Sequence, residues 1–334
     1  MRWAEERIAA VGELTAVHTV ASGFGMTWAI GMVRARDAMG TAIFRRDGSN
    51  WRQVPAPDIG AARRAIVASD ADVWTVGLGR CLHWDGRRWH EVPMPHRRGE
   101  RAVLAEFTAF GADAVYCVGQ ATRLNDPWQA RGVAYRWGGA RWTELPLPDL
   151  GKYWGLFGVD GTSDDDVWAV GMDAEQPVIL HWNGRAWARM TIPSTGHGWG
   201  QLTDVVALAP HDVWATGGLN TRPGSQAMRR SARALALHWD GRHWSRARPP
   251  VDTVPVDQLI QGDGQIWALG RANPDAGIEG YLGRWDGSRW HSVRPPDSFV
   301  LHGGAALPDG SGVLVVGHSL LGAGRSPLVA AYHW

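Results

Sequence analysis

Nine residues before a Val-Trp, Val-Tyr or Ile-Trp pair, this chain repeatedly places a charge: Arg64 before Val73-Trp74, Glu106 before Val115-Tyr116, Asp204 before Val213-Trp214 and Asp257 before Ile266-Trp267. Gly158 holds the same place before Val167-Trp168. Carboxylates brought together can exchange protons with a substrate, and a guanidinium among them can hold an anionic group. Glu106, Asp204 and His197 are therefore candidate acid–base residues, and Arg64 and Asp257 candidate ligand contacts. Aromatic and histidine residues also stand beside glycines that permit close approach, in Tyr153-Trp154-Gly155, His197-Gly198-Trp199-Gly200 and His302-Gly303-Gly304, with Trp128 a further candidate of the same sort. Such a wall suits a sugar ring, a peptide side chain or an aromatic metabolite. In the competing reading the charges line a solvated channel and the aromatics cover the ends of packed sheets.

A repeat must position these residues. Short β-type runs ending in glycine occur seven times: Trp28-Ala-Ile-Gly31, Val73-Trp-Thr-Val-Gly77, Val115-Tyr-Cys-Val-Gly119, Val167-Trp-Ala-Val-Gly171, Val213-Trp-Ala-Thr-Gly217, Ile266-Trp-Ala-Leu-Gly270 and Val313-Leu-Val-Val-Gly317. A second motif follows in most copies, as in His83-Trp-Asp-Gly-Arg-Arg-Trp89, His181-Trp-Asn-Gly-Arg-Ala-Trp187 and His238-Trp-Asp-Gly-Arg-His-Trp244. Asp-Gly and Asn-Gly supply the positive φ of tight hairpin turns, so each motif reads as strand, turn, strand. Proline pairs such as Pro93/Pro95 and Pro146/Pro148 come next, and suit the end of an outermost edge strand. β-type repeats of roughly 40 to 50 residues signal a propeller, whose blades bury their faces against neighbouring blades.

The expected fold is all-β: a single-domain, seven-bladed β-propeller of four-stranded antiparallel blades over residues 1–334. The expected blades are 14–60, 61–101, 102–153, 154–198, 199–253, 254–299 and 300–334 together with 1–13. The seventh copy stops at His333-Trp334, where its turn should begin, and Met1-Arg2-Trp3 matches the residues just after such a turn. A strand from Trp3 to Ile8 is therefore expected to pair with the C-terminal blade and close the ring. The 21 tryptophans supply packing bulk, at roughly 25 cal/mol per Å² of apolar surface buried.

These repeats resemble the kelch-like and Asp-box propeller families over essentially the full chain. Asp85-Gly86 with Trp89 and Asp240-Gly241 with Trp244 are similar to the Asp-box hairpin. The Ser/Thr two residues before the Asp is replaced by His or Arg, and the double glycine of kelch blades is absent. The resemblance implies a scaffold and carries over no catalytic residue.

Function is narrowed mainly by exclusion. A net charge of +1 provides no global field toward nucleic acid or an anionic membrane. No nucleotide cradle and no short ligand spacing of the His-x-x-x-His type occurs, so neither cofactor nor metal is expected. Cys81 and Cys117 read as small strand residues in a reducing compartment, and no apolar run approaches the length of a membrane span, so a cytoplasmic protein is expected. Long insertions in the third, fifth, sixth and seventh copies, including the basic stretch Met228 to Arg233, should emerge on one face. The expected function is recognition of a small molecule, glycan or peptide segment on that face at the channel mouth. The alternative is a cofactor-free lyase, cyclase or isomerase working through the carboxylates and His197.

Overall fold

Tryptophans at the repeat positions and the turns between them build antiparallel sheets in a computed structural model that describes residues 2–8, 13–35, 38–77, 79–196, 199–220, 233–251, 255–262, 264–270, 280–295, 299–319 and 326–333. Strand β1 (Arg2–Glu6) comes first in the chain. The next two sheets are β2 (Glu13–Gly23), β3 (Met26–Ala35), β4 (Ala38–Asp47) and β5 (Asn50–Val54), then β6 (Arg64–Val67), β7 (Val73–Gly77), β8 (Arg80–Trp84) and β9 (Trp89–Val92). The third comprises β10 (Glu100–Ala109), β11 (Val115–Arg123), β12 (Asp126–Trp137) and β13 (Trp142–Leu145), and the fourth β14 (Trp154–Ser163), β15 (Asp166–Asp173), β16 (Gln176–Trp182) and β17 (Trp187–Arg189). The fifth holds β18 (Trp199–Ala209), β19 (Asp212–Asn220), β20 (Arg233–Trp239) and β21 (Trp244–Arg246), and the sixth β22 (Gln258–Gly262), β23 (Gln265–Gly270), β24 (Tyr281–Trp285) and β25 (Trp290–Val293). The seventh is β26 (Phe299–Ala306), β27 (Gly312–Ser319) and β28 (Ser326–His333), completed by β1. The chain is thus an all-β, seven-bladed propeller of four-stranded antiparallel blades, closed by its N-terminal strand.

The residues fall into two compact units, 1–94 with 294–334, and 95–293. In the first unit, closure runs from Arg2↔His333 to Glu6↔Val329. Trp3 stacks at 5.0 Å on Tyr332 and donates its indole N–H to the Arg294 carbonyl at 2.8 Å. The expected strand was to reach Ile8, but its pairing with β28 ends at Glu6, and Ile8 bridges Trp51 in the first blade instead. Buried Glu6 accounts for the departure: its carboxylate accepts from Arg46 Nε at 3.0 Å and from Trp51 Nε1 at 2.8 Å, drawing the chain toward β4 and β5.

Repeat residues earn their places by packing. Trp28 of the first blade meets both turn tryptophans of the second, Trp84 at 5.0 Å and Trp89 at 5.4 Å. In the second unit Trp168 meets Trp239 and Trp244 at 5.3 and 5.4 Å, and Trp214 meets Trp285 and Trp290 at 5.0 and 6.3 Å. Each of these blade contacts is a three-tryptophan cluster with tilted or edge-to-face rings, as the aromatic quadrupole favours. The turns hold the two outer tryptophans opposite each other, for example Trp84↔Trp89. Asp85, Asn183, Asp240 and Asp286 each accept the backbone N–H groups two and three residues later, which shapes a four-residue turn. Those donors hold the Asp85 carboxyl below its usual range and that of Asp240 down to about 2.

The motif glycine within the second strand of the fourth and fifth blades has a steric reason. A Cβ on Gly171 would lie 1.9 Å from the Gly155 carbonyl oxygen, and one on Gly217 2.1 Å from that of Gln201. In both blades the first strand bulges at this level, between Leu156 and Gly158 and between Leu202 and Asp204, so its backbone crowds the second strand.

Candidate functional site

The first-strand charges are distributed over both units. Arg64 belongs to the first unit, where it opens β6 and its carbonyl accepts the Thr75 hydroxyl at 2.9 Å. His302 also lies there, with Nε2 2.8 Å from Nδ1 of buried His318 and its ring 5.9 Å from that of His18. Glu106, Asp204 and Asp257 belong to the second unit, and His197 falls outside the described residues.

Within the second unit the carboxylates join neighbouring blades. Asp204 is 5% exposed, and its oxygens accept the N–H of Val205 at 2.8 Å and of Leu259, in the next blade, at 2.7 Å. Sequence reasoning missed Asp160, an acid in the otherwise apolar run Val159 to Gly161 on β14. It accepts the Thr108 hydroxyl from the preceding blade and the Ala207 N–H from the following one, both at 2.9 Å. Burial pushes its carboxyl up to about 6 against these donors, and nearby Glu106 adds to the rise. Gly158 leaves room for this set, since a Cβ there would lie 2.7 Å from the Asp204 Cα. Asp257 donates its backbone N–H to the Leu269 carbonyl at 2.8 Å.

The repeat histidines form a second, structural pattern. His83, His181 and His238 each place Nε2 2.7 to 2.8 Å from the Asp preceding the Val-Trp pair, Asp72, Asp166 and Asp212. Their rings lie 3.9, 4.1 and 4.6 Å from Trp74, Trp168 and Trp214. Burial lowers the His83 pKa, and Asp72 opposes that shift. In the third blade Tyr116 and Arg136 replace this pair, and both bind the Asp164 carboxylate, at 2.8 and 2.6 Å.

The third blade also departs from the repeat at its edge. The insertion expected as a loop from Gln120 to Val133 instead continues the β11–β12 ladder, through Thr122↔Ala130 to Arg123↔Asp126, with Leu124-Asn125 at the turn. Trp154 and Trp199 open β14 and β18. Trp154 is 3% exposed, packs among the core residues between the third and fourth blades, and sits where any Cβ on Gly132 would overlap its ring at 2.2 Å. Trp199 is half-buried and pairs with Asn220. Tyr153 and Trp128 face solvent, their rings 6.5 Å apart. The segment before β14 is tied to the hairpin by Ala130 N–H donating to the Lys152 carbonyl at 2.9 Å, and to the β15–β16 turn by Ala174 N–H donating to that of Tyr153 at 3.0 Å.

Beside this hairpin lies a cleft of about 450 Å³, lined by residues that include Arg97, Glu100, Arg131, Glu144, Lys152 and Trp154. Arg131 lines it, with Nη2 2.8 Å from Glu100 and Nη1 2.8 Å from Glu144, which Arg97 also meets at 2.9 Å. These partners hold Arg131 firmly charged against the cost of burial. A neighbouring hollow of about 580 Å³ is lined by Arg97, Arg98, Gly99, Glu100, Arg123, Leu124 and Asn125. Sequence reading assigned none of these basic residues. The available signal was Arg123 and Arg131 interleaved with small apolar residues in a stretch that departs from the repeat.

Among the described residues no group of three or more His, Cys, Asp or Glu is arranged to hold a metal ion, and no helix is long and apolar enough to cross a membrane. Seven blades closed by a terminal strand define a seven-bladed β-propeller. No family model and no curated protein matches the chain. Among solved structures it is similar to YCF48 bound to D1 peptide, at 14% identity and TM-score 0.63 over 99% of this chain and 97% of that one. It is also similar to YCF48 from Cyanidioschyzon merolae, at 12% identity and TM-score 0.61 over 99% and 98% of the two chains. The β-propeller domain of the Trilobed protease from Pyrococcus furiosus matches at 10% identity and TM-score 0.58 over 96% and 94%. At such identities the likeness is one of fold, and propellers host many activities.

Proposed function

We propose that this protein is a binding propeller that docks a protein or peptide segment on the β11–β12 hairpin and its cleft. The observation that carries the reading is Trp128, 80% exposed with its ring 6.5 Å from that of exposed Tyr153, on a hairpin whose turn also exposes Leu124. Scattered surface apolar residues are ordinary, whereas a grouped aromatic patch at a concavity resembles the centre of a protein interface. The peptide bound to YCF48 supports the same class of partner. A small molecule or glycan has less support, because its usual pocket is more enclosed and apolar than this charge-lined cleft. Acid–base chemistry at Asp204 also has less support, since both its oxygens accept backbone N–H groups. Two buried free thiols, Cys81 and Cys117, suit a reducing compartment, and we assign the protein to the cytoplasm on that ground.

A random peptide library displayed on phage and selected on the folded protein tests the reading. Selected peptides should lose most of their binding to Trp128→Ala combined with Leu124→Ser, while the variant keeps the wild-type unfolding curve. Peptides that bind both proteins equally would place the docking surface elsewhere.

A further inference from the structure

We infer that the segment docked at the hairpin is acidic, its carboxylates meeting Arg123, Arg98 and Lys152 while an apolar side chain rests on Trp128. This inference rests on the docking reading of the same site and adds the chemistry of the partner. The cleft's other cations are already matched: Arg131 takes Glu100 and Glu144, and Arg97 shares Glu144. Arg98, Arg123 and Lys152 are exposed at the rim and form no ion pair among the described residues. Arg123 lines both hollows, Lys152 the first and Arg98 the second, so the three unmatched cations border two adjoining hollows beside the hairpin. Unmatched cations of this kind on a nearly neutral protein make a local field that steers an anionic partner and gains affinity on contact.

The pattern suits a polypeptide better than a nucleic acid. Evenly spaced phosphates laid along the cleft would meet the carboxylates of Glu100, Glu144 and Asp149 as well as the cations. A peptide can set isolated carboxylates opposite the cations and leave neutral backbone against the acids. Its apolar residue would bury the Trp128 ring, the kind of desolvated aromatic anchor that dominates binding energy in protein interfaces.

Fluorescence anisotropy with three labelled probes tests the inference: a peptide carrying glutamates and phenylalanines, its twin with lysine for each glutamate, and a single-stranded oligothymidylate. The glutamate peptide should bind at least about tenfold more tightly than its lysine twin, and weaken as salt rises. Arg123→Glu combined with Lys152→Glu should cost it roughly tenfold or more and reverse the preference between the twins. Trp128→Ala should weaken both peptides in low and high salt alike. Twins that bind equally, yet both lose affinity in Trp128→Ala, would overturn the acidic assignment and leave the docking reading standing. Indifference of both peptides to every variant would overturn both. Oligothymidylate binding as tight as the glutamate peptide, and lost in the charge-reversal variant, would replace the peptide with a nucleic acid.

Discussion

Trp168 and Trp128 belong to the same unit of the chain and to blades next to each other, yet the first is 1% exposed and the second 80%. Trp168 follows the repeat. Its ring lies against His181, Trp239 and Trp244, and His181 is held in turn by Asp166. Trp128 stands on a hairpin that outgrows the repeat, with Tyr153 as its aromatic neighbour among the described residues. The difference teaches that position in the repeat, more than residue type, decides what a tryptophan does in this chain. On the repeat Trp168 seals two blades, and off the repeat Trp128 stays exposed.

Truncation of Trp168 is the strongest way to break the comparison. Trp168→Ala should destabilise the protein by about 3–5 kcal/mol, the cost of a large cavity in a packed core, in denaturant unfolding followed by circular dichroism. A loss below about 1 kcal/mol would show that the three-tryptophan contacts are not what joins the blades.

Asp160 sharpens the same contrast through pH. Its carboxyl is raised to about 6 from 3.8, so between these values the folded state binds more protons than the unfolded chain. For this group, stability therefore falls as pH rises from about 4 to 6, by on the order of 2 kcal/mol. Asn at 160 can still accept from the Ala207 N–H while its amide faces the Thr108 hydroxyl, and it carries no proton equilibrium. The stability difference, wild type minus Asp160→Asn, should shift toward the variant across that pH range. A difference independent of pH would mean that the wild-type carboxyl titrates as an ordinary aspartate.

The smallest effect is expected at the exposed tryptophan. Trp128→Ala should change unfolding stability by no more than about 0.5 kcal/mol, as an exposed side chain outside the core does. A loss comparable to that of Trp168→Ala would show that the hairpin packs as part of the scaffold, and the contrast between the two tryptophans would collapse.

Much of the scaffold was legible because it is local. The Asp-Gly turns, the strand alternation around Trp-Ala-Val-Gly and the match of Trp3 to an outer-strand position are properties of neighbouring residues, and seven copies reinforce each reading. The site was less legible. Trp154 and Trp128 both lie off the motif in sequence, but Trp154 turns inward because Gly132, on a strand of the preceding blade, leaves a space for its ring. Asp204 looked like a free acid at a strand entrance, and its backbone partner Leu259 is 55 residues away.

The amino-acid sequence by itself therefore determined the repeat, the blade count, the four-strand order and the closing strand, because the period of side-chain direction and the φ demands of the turns act over a few residues. Only the tertiary structure decided which aromatics stay exposed, that Asp160 links three blades, and that Arg97, Arg123, Arg131 and Lys152 border one cleft. Those outcomes depend on which segments of different blades pack side by side, and on which charges find partners there.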